Sequence, residues 1–214
     1  HHTAIIGKDV FLGEGVEVGP YCIINDNVKI GNNTRLISHV YIDSYTELGR
    51  DCIIFPFASI GTLPQDLKYK PCISYVKIGD RNTIREYVTI NRATEPDTIT
   101  EIGHDNLFMA YSHIAHNCKV GDRNIFANVA TLAGHVVIEN DVILGGLVGV
   151  HQFCRIGSYS IIGGATPIRK DVIPYGTIQG DPARVRGLNL IGLRRHGYSS
   201  EKINELKEIY KVLF

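Results

Sequence analysis

Tryptophan is absent, methionine occurs once, and neither sign of charge prevails: 22 Lys and Arg stand against 22 Asp and Glu in 214 residues. A balanced chain projects no global field, so recruitment of nucleic acid or an anionic membrane by net charge is excluded. Any charged partner must be met by a local patch. Also missing is an apolar run near the ~20 residues that span a bilayer; the longest candidate is 142–150. No secretory signal is present, and a start on His1 rather than Met reads as trimmed or tag-derived. Five cysteines, Cys22, Cys52, Cys72, Cys118 and Cys154, are odd in number and form no CxxC pair. That excludes a disulfide framework and points to a reducing, cytoplasmic compartment.

What the chain does have is a beat of six. Positions 6, 12, 18 and onward to 60 are all Ile, Leu or Val, and the beat resumes in register from Ile78 to Ile168. Of 28 such positions only Asp66, Cys72 and Pro96 break it. Neither a helix, with its period of ~3.6, nor a strand, with its period of ~2, accounts for a strict six. A β-solenoid does: each unit is a short strand and a turn, its aliphatic side chain enters a narrow core, and three units close one triangular coil. Gly often follows the aliphatic residue, as in Ile6-Gly7, Leu48-Gly49 and Val120-Gly121, where corners with φ > 0 are expected. Cys118 and Cys154 stand two coils apart, about 9.6 Å at ordinary strand spacing, too far to bridge. All five thiols are expected as buried spacers.

The beat predicts a solenoid over 1–175 with surface loops at 62–77 and 92–100, then a region 176–214 that begins irregular and turns helical near Leu190. Ser199 or Ser200 is a plausible N-cap, with Ile203, Leu206, Tyr210 and Leu213 on one face. The sequence stops at Phe214 in mid-helix, as a cut helical tail would.

Residues three units apart stack on neighbouring coils, so the same arithmetic locates polar chemistry. His116, Gly134 and Gln152 share one slot in three successive coils, His135 and His151 lie one residue to either side of it, and His113 flanks it. His39 and His104 share no slot with these and read as half-exposed polar residues. Two chemistries suit the cluster. Three imidazoles can hold Zn²⁺ and leave a position for water, as in a γ-type carbonic anhydrase. Alternatively one His acts as general base on a hydroxyl while a backbone N–H holds an oxyanion.

HIAHNC at 113–118, LAGHV at 132–136 and GVHQFCRIG at 149–157 resemble the active-site stretches of the UDP-N-acetylglucosamine O-acyltransferases, a hexapeptide-repeat acyltransferase family. QDLKY at 65–69 and QGDPARVRGLNLIGLRRHG at 179–197 resemble that family's substrate loop and its passage into a helical domain. The resemblance implies an all-β solenoid, a left-handed parallel β-helix, followed by a short α-helical C-terminal region. It implies transfer of an (R)-3-hydroxyacyl group from acyl carrier protein to the sugar 3-hydroxyl, the first step of lipid A biosynthesis. His116 would be the base and Gly134 the oxyanion donor. Asp66, Lys68, His113, His135, His151 and Gln152 would hold the sugar and diphosphate, and Asn189 and Arg195 the nucleotide. Gly164 falls where the family sets acyl length, and glycine there implies a longer chain. No metal or cofactor beyond the donor thioester is implied; the partners are acyl carrier protein, the UDP-sugar and two further copies in a homotrimer.

The chain departs from the family in places. Asn117 follows the base where many members carry Asp, so a carboxylate for His116 must come from elsewhere or be dispensable. Ile191 and His196 replace a Glu and a second Arg of some members, and Asn91 replaces a His. A 3-amino sugar remains an alternative acceptor. Arg155, Arg169, Lys170, Arg184 and Arg186 are candidates for the basic surface that receives acidic acyl carrier protein. The pathway's N-acyltransferase, which normally carries a domain ahead of its solenoid, fits a chain that enters the repeat at once less well.

Overall fold

In a computed structural model that describes residues 1–213, with only the backbone of Leu213, short strands stack into three sheets of nine, eight and ten strands. These are the walls of a left-handed parallel β-helix. The first wall climbs from Ile5–Ile6 through His113–Ile114, Thr131–Leu132 and Gly149–Val150 to Pro167–Ile168. The second runs from Phe11–Leu12 to Arg155–Ile156. The third begins at Glu17–Val18 and ends in a hairpin. Register partners such as His113↔Thr131 and Thr131↔Gly149 stand three repeats apart. The aliphatic beat therefore fills one continuous core from Ile24 to Ile168. Ile6, in the first described coil, is 47% exposed.

The corners are built differently from expectation. Gly7, Gly49 and Gly121 do not have positive φ; the left-handed residues fall two places later, at Asn27, His39, Phe57, Tyr111, Val129, His135 and Leu147, with φ between 52° and 65°. Placing an ordinary residue there costs roughly 1–2 kcal/mol. A hydrogen bond to the coil below helps offset that cost, as in Val129 N–H to Ala110 O at 3.1 Å and His135 N–H to His116 O at 3.0 Å. The glycines answer another need, the close approach of stacked backbones. A Cβ on Gly121 would lie 2.8 Å from Glu139 O, and one on Gly79 2.7 Å from Gly103 O.

Both loops leave the same edge, between the first and second walls. They occupy 63–74 and 92–98; the expected 62–77 and 92–100 are too wide because Ser59–Thr62, Tyr75–Ile78 and Ile99–Ile102 are strands. Pairings across them, Ser59↔Thr89 and Thr89↔His113, span five and four repeats, whole numbers of the beat, which is why it returns in register. Cys72 corrects the expectation for the thiols: four are buried, whereas Cys72 is half-buried in the first loop, with Sγ 3.5 Å from Thr94 O.

Residues 176–189, expected to be irregular, form the closing hairpin Gly176–Gln179 and Arg184–Leu188. Gly176–Gln179 pairs with Ile161–Ile162 two places short of three repeats, so the buried Ile178 falls off the multiples of six. Helices α1 (Leu190–Arg195) and α2 (Ser200–Leu213) follow. Ser199 caps α2, its Oγ accepting from Lys202 N–H at 3.3 Å. Ile203 is buried and Leu206 and Tyr210 are half-buried as expected, while the Leu213 side chain and Phe214 lie outside the described residues.

Candidate active site

The slot two places after the aliphatic residue has a repeated structural use. Its backbone N–H is capped by the side chain occupying the same slot one coil later: Lys8 by Asp26 at 2.7 Å, His104 by Asp122 at 2.8 Å, Asp122 by Asn140 at 2.8 Å. At His116, Gly134 and Gln152 no such cap forms. Glycine has nothing to offer His116, and among the described residues the N–H of Gly134 has no hydrogen-bond acceptor. A free backbone donor beside an imidazole is the consequence.

Both border a cavity of about 780 Å³ at the edge between the first and second walls. His113, Thr131, Gly149 and Pro167 form its wall side, His116, Gly134, His151, Gln152 and Arg169 its edge, and Gln65 to Lys68 its overhanging loop. A Cβ on Gly134 would fall 2.6 Å from His116 Nε2, so only glycine leaves that imidazole its place. Nε2 lies 3.9 Å from Asp66 Oδ2, and the other carboxylate oxygen accepts from Lys68 N–H at 2.8 Å. On the opposite side of the ring, Nδ1 is 3.0 Å from Asn117 Oδ1.

Two of the surrounding imidazoles, those of His113 and His135, are biased toward the neutral form. Burial, then the neighbouring His116, holds His113 below the ordinary histidine range, and its Nδ1 is 2.7 Å from Thr89 Oγ1. His135 is lowered by the same two causes against the opposing pull of Glu95 and Asp66. It lines none of the cavity, standing edge-on to His116 at 5.2 Å and stacked on Phe153 at 4.8 Å. Burial pushes the Cys118 thiol up to about 12, so it is no nucleophile. Among the described residues no three His, Cys, Asp or Glu side chains converge as a metal site.

The structure thus brings together His116, Gly134, Asp66, Lys68, His113, His151 and Gln152, with His135 behind them. It does not bring the remaining expected residues to this cavity. Asn189 and Arg195 border a separate cavity on the third wall with Ile143, Ile161 and His196. Asn189 is also committed within the chain: Oδ1 accepts from Gly192 N–H at 3.0 Å and Nδ2 donates to Tyr159 O at 2.9 Å. Gly164 sits at the edge between the third and first walls, where a Cβ would meet Gly146 O at 3.2 Å. Sequence reasoning misses Thr131 and Gly149, although they share the column of His113 and the same arithmetic finds them. Arg169, expected only as a docking residue, lines the cavity. Thr94, which touches Asn117, lies in a loop where no periodicity reaches it.

A prism of hexapeptide coils with a histidine-lined cavity on one edge defines a hexapeptide-repeat transferase. Residues 3–38 match the model of the bacterial transferase hexapeptide (six repeats), and residues 171–214 that of UDP N-acetylglucosamine O-acyltransferase, domain 2. The acyl-[acyl-carrier-protein]–UDP-N-acetylglucosamine O-acyltransferase of Thermodesulfovibrio yellowstonii is 55% identical over 215 residues, covering 100% of this chain and 83% of its own. That of Herminiimonas arsenicoxydans is 48% identical, covering 100% and 82%. The solved structure of LpxA from Acinetobacter baumannii matches with a TM-score of 0.98 at 48% identity, covering 100% of this chain and 83% of that one. The chain belongs to the UDP-N-acetylglucosamine O-acyltransferase family and is an acyltransferase. The carbonic-anhydrase alternative is not favoured by these relatives. No helix among the described residues is long and apolar enough to cross a membrane.

Proposed function

We propose that the protein transfers an (R)-3-hydroxyacyl group from acyl carrier protein to the 3-hydroxyl of UDP-N-acetylglucosamine in the cytoplasm, opening lipid A biosynthesis. One observation carries the mechanism: His116 and a backbone N–H of Gly134 without an internal acceptor meet on the edge of one cavity, with Asp66 opposite. Nε2 of His116 takes the proton of the sugar hydroxyl as its oxygen attacks the thioester carbonyl. The Gly134 N–H stabilises the resulting oxyanion. Collapse breaks the carbon–sulfur bond, and the leaving thiolate takes the proton back from His116. Asp66, Lys68, His113, His151 and Gln152 orient the sugar and diphosphate, and no cofactor beyond the thioester takes part.

A homotrimer supplies what one chain leaves apart. The second wall presents alternating charges, Lys29, Glu47, Lys77, Glu101 and Lys119, suited to water. The third wall presents Ile53, Leu107, Ile125, Ile143 and Ile161, and its edge with the first wall carries exposed Phe57, Tyr87, Tyr111 and Leu147. Packing the third wall of one copy on the first wall of the next, with that apolar edge at the axis, buries these side chains. It also carries one copy's Arg195 toward the next copy's His116. Arg155, Arg169, Lys170, Arg184 and Arg186 offer acyl carrier protein a basic surface, and Gly164 favours a longer hydroxyacyl chain.

Product analysis with UDP-N-acetylglucosamine, its 3-amino analogue and a ladder of 3-hydroxyacyl carrier proteins tests this reading. Ester formed on the sugar hydroxyl, and lost in His116→Ala with the fold intact, is the expected result. Undiminished turnover by that variant overturns the role of His116.

A further inference from the structure

Asn117 is the residue through which the second loop reaches the base. Its Oδ1 lies 3.1 Å from the backbone N of Thr94, 2.9 Å from Thr94 Oγ1 and 3.0 Å from His116 Nδ1. A backbone N–H can only donate, so the amide atom facing Thr94 is the oxygen. Turning the amide over would set two donors against each other. An oxygen so placed accepts from its third neighbour as well, which requires His116 to carry its proton on Nδ1. The lone pair then sits on Nε2, on the side of Asp66 and the cavity.

The rest of Asn117 is held by the same loop and by the strand that follows it. Its Nδ2 donates toward Thr98 Oγ1 at 3.4 Å, and its backbone N–H donates to Thr100 Oγ1 at 2.8 Å. In the next coil the equivalent backbone group, that of His135, binds a carbonyl instead. The insertion therefore replaces an ordinary rung with threonine hydroxyls. The first loop, which carries Asp66, is fastened to the second through Ser74 Oγ to Ala93 O at 2.6 Å and Asp97 N–H to Ile73 O at 3.0 Å. Nε2 of His116 thus faces Asp66 of the first loop, and Nδ1 faces Asn117, which the second loop holds.

We infer that Asn117, oriented by the backbone of Thr94, is a positioning residue that holds His116 as the Nδ1–H tautomer and so keeps Nε2 free as the base. This rests on the proposed role of His116. A carboxylate in that place would add charge to the same bond; the amide supplies the direction without the charge.

Long-range ¹H–¹⁵N correlation of the imidazole in the full chain, assigned by loss of its signals in His116→Gln, reads the tautomer without reference to activity. The wild type is expected to show a protonated Nδ1 and a bare Nε2. Asn117→Asp retains the acceptor and should retain the tautomer. Asn117→Gly accepts the φ of 59° but removes the acceptor, and should lose the tautomer while kcat falls about 10²-fold with KM unchanged. A bare Nδ1 in the wild type overturns the inference, as does an Asn117→Gly protein with wild-type tautomer and kcat. Full turnover by His116→Ala would instead sink the base assignment and leave the tautomer measurement standing.

Discussion

The imidazole of His116 occupies the space that a side chain at Gly134 would fill, one coil above it: a Cβ there would sit 2.6 Å from Nε2 and 3.1 Å from Nδ1. Gly134→Ala must therefore displace the base, whatever it does to the oxyanion donor. Its kcat is expected to fall by about 10²–10³-fold while the melting temperature moves little, because the nearest group a Cβ there meets is the His116 side chain, which can turn into the cavity beside it. Steady-state kinetics beside a thermal melt checks both halves, and retained turnover would contradict the arrangement.

The glycines after the aliphatic beat make a different prediction. Gly121→Ala should destabilise by about 1–3 kcal/mol, since its Cβ meets the Glu139 backbone carbonyl of the next coil, which cannot turn away, as well as the Asn140 side chain. Asp9→Gly, at an exposed corner with φ of 53°, should stay within about 0.5 kcal/mol of wild type. Denaturant unfolding distinguishes close approach from backbone conformation as the reason for the first pattern.

His113 and His135 both titrate below the ordinary histidine value of 6.5 in the folded chain. The unfolded chain then binds more protons in that window, so stability present above about pH 6.5 is lost as pH falls through the folded values. Melting temperature should drop as pH goes from about 7 toward 5, and His113→Gln should flatten the slope. An unchanged slope would mean that His113 is not held neutral by its surroundings.

Light scattering is expected to report three times the chain mass of 23.7 kDa. Ile125→Glu places a charge in the middle of the apolar third wall and should shift the mass toward that of one chain while activity is lost. A trimer that survives this change would move the interface elsewhere.

Much of this is legible in the letters because a solenoid makes spatial neighbours a matter of subtraction. Once Ile114, Leu132 and Val150 are known to stack, His116, Gly134 and Gln152 must stack too. Subtraction fails wherever a coil is not three whole repeats long. Ile178 returns two places early, so its segment reads as irregular chain. Periodicity credits Gly121 with turning a corner that Arg123, with φ of 55°, turns instead. The contact of Thr94 with Asn117 leaves no periodic trace at all.

From the letters alone follow the period, and with it the core, the walls and the column of residues that borders the cavity, because repetition converts chain distance into height along one axis. Folding in three dimensions chose where the two loops come down, which nitrogen of His116 faces Asn117, and that Asn189 caps the start of a helix. Those outcomes depend on directions of individual hydrogen bonds between segments of unrelated spacing, and no count along the chain contains a direction.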